Sequence, residues 1–290
     1  MKLYIILGYL GSGKTSYVKN LLKTLSGDKN ALLVNDFGEV DVDGKILASY
    51  SPFTLAGGSM FCSCKSDQFV KVAKEILTMD FDNLVIESSG FSNPYNLKEL
   101  IQLVNSGSAN KLEIVETVTL VDCKNFEKIA TTVKMAKIQV AFADVLLLNK
   151  TDLITQTDQT RIETLVKSIN PNARVQFTSN GERKDYSAKI IEKPSVANIA
   201  DITLQKLAVK IDKSCTLQAL TTACDEICKT AHRIKGSLDI ADFKGTFQYS
   251  FGDKTLKEGS GGDNTLIILT SSNKNLKNNI SALVSQLVHK

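Results

Sequence analysis

The sequence predicts an α/β fold, a mainly parallel, doubly wound sheet with crossover helices, followed by a smaller α+β domain. Short apolar runs at residues 3–7, 31–34, 84–86, 114–121, 145–148 and 175–177 are nearly continuous, as strands buried on both faces of a parallel sheet must be. Between them, 16–25, 67–78, 126–134 and 159–169 place apolar residues at three- and four-residue spacing, the period of a helix with one buried face. Strand and helix in alternation give the doubly wound class. The pattern changes near residue 190. Residues 192–200, with Pro194, read as a linker. Beyond it the chain reads as strand 203–211, helix 214–232, strands 236–240, 245–250 and 264–270, and helix 275–288, with a Gly-rich hairpin loop at 257–263. The expected domains are therefore 1–192 and 201–290. There is no internal repeat and no low-complexity tract.

Composition narrows the function classes. A chain of 290 residues with 43% hydrophobic and 23% charged residues buries a full core. Intrinsic disorder, collagen and disulfide scaffolds are excluded. Thirty-five Lys and Arg against 31 Asp and Glu leave a net charge of +4, without the clustered basic face of a nucleic-acid binder. No nucleic-acid partner is expected. No run of 18 apolar residues is present, so no membrane span is expected either. Residues 1–10 are apolar but lack a basic n-region and an A-x-A cleavage site, so they read as the first buried strand. Six cysteines, Cys62, Cys64, Cys123, Cys215, Cys224 and Cys228, suit a reducing cytoplasm. With only His232 and His289 available, a His-built metal site is not expected.

Gly8-Tyr9-Leu10-Gly11-Ser12-Gly13-Lys14-Thr15 fits G-x-x-x-x-G-K-[ST] between a strand and a helix. Its glycines let backbone N–H groups curl around anionic oxygens, and the helix dipole points at the same phosphates. The first domain is thus expected to be a P-loop NTPase domain. Gly8, Gly11, Ser12, Gly13, Lys14, Thr15 and Ser16 are its candidate phosphate contacts. Lys14 reaches the β- and γ-phosphates and Thr15 ligates Mg²⁺.

Residues 146–152 form a buried strand ending in Asn149-Lys150-Thr151-Asp152, at the edge where open α/β sheets bind ligands. A carboxylate there accepts from guanine N1–H and the 2-amino group, a donor pair adenine lacks. Some 135 residues beyond a phosphate loop, this segment makes GTP the expected nucleotide. Residues 177–180 would close over the base from the next strand.

The segment 35–43 places Asp36, Glu39, Asp41 and Asp43 beside the phosphates, and such mutually repelling charges imply a cation. Further along the chain lies Cys62-Ser63-Cys64-Lys65. Two thiolates hold a soft or borderline ion, with further ligands from Glu39 or from a second chain in a homodimer. Lys65 favours the thiolate form. Two structural cysteines or a redox pair are the alternatives. Glu87-Ser88-Ser89-Gly90 ends a third strand. There Glu87 takes the place of the Asp that supports Mg²⁺ and water, and residues 88–90 are placed to sense the γ-phosphate.

Together these segments resemble the CobW-type (cobalamin synthesis protein-like) metallochaperone GTPases, relatives of the urease and hydrogenase nickel-insertion GTPases. The resemblance rests on residues 8–15, on 35–43 (N-[DE]-F-G-E-x-x-x-D), on 87–90 (E-[ST]-[ST]-G), on Val121-Asp122, on 149–152 and on Arg233-Ile234-Lys235-Gly236 (an R-x-K-G turn). It implies slow GTP hydrolysis coupled to binding and delivery of Zn²⁺ or Co²⁺ to a client protein, and a C-terminal domain like that of the family. In that reading Lys14, Glu87 and Asp36 serve catalysis, Asn149, Lys150 and Asp152 the base, and Thr15, Glu39, Cys62 and Cys64 the metals. The family's C-x-C-C appears here as Cys62-Ser63-Cys64-Lys65, one thiol fewer. A shifted register would leave a single matching thiol. A regulatory GTPase for a corrinoid or other cofactor enzyme, without metal cargo, is the second reading. A P-loop kinase is the third, and it leaves 149–152 unexplained. Cys224, Cys228 and His232 are four apart on one expected helix, read as a packing face. Cys123 and Cys215 read as core thiols.

Overall fold

A computed structural model of the chain describes residues 1–36, 52–56, 60–61, 66–183, 204–227, 231–250 and 253–271. The expected linker 192–200, the helix 275–288, Cys228 and the candidate ligands Glu39, Cys62 and Cys64 lie outside the described residues. Two compact units divide the chain, Met1–Asp201 and Ile202–Lys290.

The first unit runs β1 (Lys2–Gly8), α1 (Lys14–Thr24), β2 (Asn30–Asp36), β3 (Pro52–Ala56), α2 (Ser66–Leu77), β4 (Asn83–Glu87), α3 (Leu97–Asn105), β5 (Glu113–Asp122), α4 (Phe126–Thr132), α5 (Lys134–Ala141), β6 (Val145–Asn149), α6 (Gln156–Ile169) and β7 (Arg174–Phe177). Its seven strands lie in the order β3-β2-β4-β1-β5-β6-β7, and every pairing is parallel. Leu3, Ile5, Ile6 and Leu7 of β1, the core of β4 and residues 145–148 of β6 are sealed from solvent. Each large aliphatic side chain so buried contributes about 1.5–3 kcal/mol. Helix α1 turns Tyr17, Val18, Leu21 and Leu22 onto the sheet against Ile6, Val85 and Leu120.

β1 has β4 on one side and β5 on the other, with β2 and β3 beyond β4 and β6 and β7 beyond β5. The winding therefore reverses at β1, and the crevice beyond its carboxyl end is where open α/β sheets bind ligands. Gly8, Asp36, Glu87, Asp122 and Asn149 each end a strand on that edge.

Three details depart from the expected elements. β3 and α3 have no counterpart among them. β3 is a short edge strand opening on Pro52, and Pro, which cannot donate to the ladder, is tolerated at such a position. The expected helix 126–134 ends at Thr132, and a new one begins at Lys134. Val133 between them is extended (φ −122°, ψ 97°), and the Thr131 and Thr132 hydroxyls donate back to Lys128 O at 2.8 and 2.9 Å. Three β-branched residues in a row give up helix propensity at that joint.

The second unit is a five-stranded antiparallel sheet, β11-β10-β9-β12-β8, formed by β8 (Leu204–Lys210), β9 (Ala231–Ile240), β10 (Phe243–Ser250), β11 (Asp253–Glu258) and β12 (Thr265–Ser271), with α7 (Leu217–Ile227) between β8 and β9. Leu220, Cys224 and Ile227 of α7 join Ile234, Leu238, Phe247 and Ile268 in one core. The expected helix 214–232 is too long at both ends. Thr216 Oγ1 accepts from Ala219 N and sets the start of α7. From 231 the chain alternates, with Ile234, Gly236, Leu238 and Ile240 buried, a strand period. The Arg233–Gly236 motif is therefore strand, not turn, and Cys224 and His232 share no helix. β11 is also additional to the expected elements; the Gly-rich loop shrinks because residues 257 and 258 belong to that strand.

Candidate nucleotide-binding site

The loop from β1 to α1 holds Gly8, Gly11 and Gly13 at positive φ (144°, 75° and 98°), a region that costs other residues energy. Ser16 lies in the first turn of α1. Lys14 is 9% exposed and donates to Gly8 O at 2.8 Å and Tyr9 O at 3.2 Å. Its ammonium thus already sits over the loop that would cradle a phosphate. Thr15 Oγ1 donates to Glu87 Oε1 at 2.7 Å, so the structure brings together the two residues expected at Mg²⁺. Ser12 Oγ is buried without a hydrogen-bond partner. A buried hydroxyl left unmatched in an amide-lined cradle fits an anionic ligand. Asp36 closes β2, and Asn35 before it holds the following segment: its side chain donates to Leu55 O at 3.0 Å and accepts from Met60 N at 3.0 Å. Met60 and Phe61, directly before Cys62, are 1% exposed, and Phe61 packs edge-on against Phe69.

On the base side, Asn149 Nδ2 donates to Ser12 O at 2.8 Å, and Asn149 Oδ1 accepts from Gly181 N at 3.1 Å. One buried amide thereby joins the phosphate loop to residues 178–182. Lys150 has φ 66° and its ammonium lies 2.6 Å from Asp122 Oδ2. Asp122 also accepts from Lys124 N and Asn125 Nδ2. Thr151 Oγ1 donates to Thr178 O at 3.0 Å. Asp152 sits exposed in the 3₁₀ turn Thr151–Leu153.

Four side chains that sequence reasoning missed stabilise this edge. Gln139, fully buried, donates to Gly90 O at 3.2 Å and Ser92 O at 2.9 Å, holding the segment after Glu87. Arg183 and Glu116 form a bidentate ion pair (2.6 and 2.9 Å), and Arg183 also donates to Tyr17 Oη at 3.0 Å. Burial is the largest influence on Arg183 and opposes its charge, but the hydrogen bonds and charges of Glu116 and Tyr17 together outweigh it and hold the guanidinium above its ordinary value. The signal was Glu116 itself: a carboxylate inside a run read as buried on both faces demands a partner. Burial, with Asp122 adding to it, pushes the Cys123 thiol up to about 12, and burial raises Cys215 too. Both are core thiols. Among the described residues there is no cluster of three or more His, Cys, Asp or Glu able to hold a metal ion, and no helix long and apolar enough to cross a membrane.

A glycine loop at the switch point, an amide bridging it to a base-side loop and a Thr–Glu pair beside it define a P-loop nucleotide-binding domain. Residues 2–177 match the family model described as CobW/HypB/UreG, nucleotide-binding domain, and the chain belongs to that family. Zinc-regulated GTPase metalloprotein activator 1 of Schizosaccharomyces pombe is 33% identical over 196 residues, 63% of this chain and 47% of that protein. Its namesake in Dictyostelium discoideum is 31% identical over 214 residues, 61% and 45%. Zinc chaperone YjiA of Escherichia coli is 28% identical over 188 residues, 61% and 57%. The chain thus spans about half the length of the curated relatives it matches. A crystal structure of Zn(II)-bound YjiA GTPase from E. coli covers 99% of this chain and 98% of its own, at 20% identity and TM-score 0.47.

Proposed function

We propose that this protein binds GTP with Mg²⁺, hydrolyses it slowly, and couples that cycle to binding and delivery of Zn²⁺ or Co²⁺ to a client metalloprotein. The observation that carries the reading is the Thr15–Glu87 hydrogen bond beside the glycine cradle, within a family whose curated relatives are named zinc chaperones and zinc-regulated GTPase activators. Gly8, Gly11, Ser12, Gly13 and Ser16 surround the phosphates, and Lys14 leaves its two carbonyls for the β- and γ-oxygens. Thr15 and Glu87 hold Mg²⁺, which neutralises phosphate charge. Asp36 and Glu87 orient water, and Asn149, Lys150 and Asp152 recognise guanine. Glu39, Cys62 and Cys64 hold the cargo ion, completed by a second chain in a homodimer. Asn35, next to Asp36, accepts from Met60 N two residues before Cys62, a route by which a change at the phosphates would reach the metal ligands. The domains span 1–192 and 201–290, the second serving the client. The thiols suit a reducing cytoplasm.

Lys65, where the family carries a third thiol, favours a second reading, a nucleotide-controlled activator of a cofactor enzyme without cargo. Metal titration separates the two. Zn²⁺ and Co²⁺ affinities are measured by chelator competition with Mg²⁺ and either GDP or a non-hydrolysable GTP analogue. A shift of roughly tenfold between nucleotides, abolished by Cys62→Ser with Cys64→Ser, supports delivery. A weak affinity that neither nucleotide nor substitution alters refutes it.

A further inference from the structure

The side chains of the Arg183–Glu116 ion pair are 0% and 1% exposed, and Arg183 directly follows residues 178–182, the segment read above as facing the nucleobase. Residues 178–182 come directly after β7 and are bound at several points. Gly181 N donates to Asn149 Oδ1, Asn20 Nδ2 donates to Asn180 O and Gly181 O at 3.2 and 3.1 Å, and Thr151 Oγ1 donates to Thr178 O. Asn180 and Gly181 both have positive φ (55° and 68°), and a Cβ on Gly181 would stand 2.7 Å from Tyr17 N. The loop is thus pressed against α1, the helix that begins at the phosphate loop. At its end, Arg183 reaches beneath to Glu116 on β5 and Tyr17 on α1. A fully desolvated bidentate pair fixes both distance and angle, and breaking one side leaves a buried charge.

We propose that Arg183, clamped by Glu116 and Tyr17, is the positioning residue of the base loop, and so sets affinity for the nucleoside part of the nucleotide without touching it. This rests on the guanine-nucleotide reading above. The clamp joins β5, α1 and the loop into one frame, so the loop meets the base pre-ordered and binding carries less ordering cost. The phosphate cradle has its own hydrogen bonds, from Lys14 to Gly8 O and Tyr9 O, and meets the clamped loop through Asn149, so it depends on the clamp less than the base loop does.

The test uses the full chain and two probes, GDP and inorganic tripolyphosphate, each with Mg²⁺, followed by calorimetry. Tyr17→Phe removes one hydroxyl from the clamp. Glu116→Leu with Arg183→Met removes both charges together and leaves none orphaned. Arg183→Lys keeps the charge and loses the fork. We expect GDP affinity to fall about tenfold in the double variant and by smaller factors in Tyr17→Phe and Arg183→Lys, while tripolyphosphate affinity falls in each by a clearly smaller factor than GDP affinity does. With GTP, KM rises and kcat at saturation is kept. Equal losses for GDP and tripolyphosphate, or unchanged GDP binding in Tyr17→Phe and Arg183→Lys, overturn the proposal. Wild-type protein that binds ADP as well as GDP overturns the guanine reading instead, and is seen before any variant is made.

Discussion

Gly13→Ala tests whether the phosphate loop and the base side are one mechanical unit. Gly13 sits at φ 98°, and a Cβ built there would fall within contact distance of Asn149 Nδ2. Two costs add. An L-residue at that φ is strained by about 1–2 kcal/mol. Asn149, 2% exposed, must also move and lose its bonds to Ser12 O and Gly181 N, at about 1–3 kcal/mol for buried groups left unpaired. The sum is roughly 2–5 kcal/mol. Gly11→Ala is the control. Its φ is also positive, at 75°, but nothing lies within 4 Å of its Cβ, so only the strain of about 1–2 kcal/mol remains. In thermal unfolding of the nucleotide-free chain, Gly13→Ala should lower Tm by roughly 4–20 °C and Gly11→Ala by roughly 2–8 °C, at about 2–4 °C per kcal/mol. Protection of the Gly181 amide from hydrogen exchange should fall in Gly13→Ala alone. Equal Tm losses with Gly181 protection unchanged would refute the coupling through Asn149.

Thr155→Ala removes one half of the capping box of α6, in which Thr155 Oγ1 accepts from Asp158 N and Thr155 N donates to Asp158 Oδ2. Tm should drop by roughly 2–4 °C at pH 7. The hydrogen bonds from Thr155 hold the Asp158 carboxyl below its ordinary value, so their contribution is present above the unfolded-state pKa of about 3.9 and is lost as pH falls through the lower folded value. The Tm difference should shrink as pH is taken from 5 toward 2, and a constant difference would count against the carboxylate's part. Cys123, with its thiol pushed up to about 12, should resist iodoacetamide at pH 8 in the folded protein and react once unfolded; peptide mapping by mass spectrometry reads both states, and rapid native labelling contradicts the buried placement.

Much of the candidate nucleotide site's local geometry was legible because its residues are local. The stretch from Gly8 to Thr15 carries its backbone requirements in its own glycines, and Asn149 to Asp152 lies at the end of a strand whose burial the run of leucines announces. The parallel sheet was legible for the same reason, through unbroken apolar runs. The break at Val133 and the short span of α7 were not, since three β-branched residues or one Thr hydroxyl decide them against a continuing apolar period. β3 and β11 escaped because short edge strands carry little pattern of their own and are fixed by the strand beside them.

By itself the sequence determined that the first unit would be a doubly wound sheet with a glycine cradle at a strand end, because periodicity and φ preference act within a few residues. Only the tertiary structure decided what those ends touch. The contact of Thr15 with Glu87 spans 72 residues, that of Asn149 with Ser12 spans 137, and that of Arg183 with Tyr17 spans 166. Hydrogen bonds and ion pairs reach about 3 Å, and strand order sets which distant residues come that close. Glu116 shows the division plainly: its burial was implied by its neighbours, but its partner was chosen by the fold.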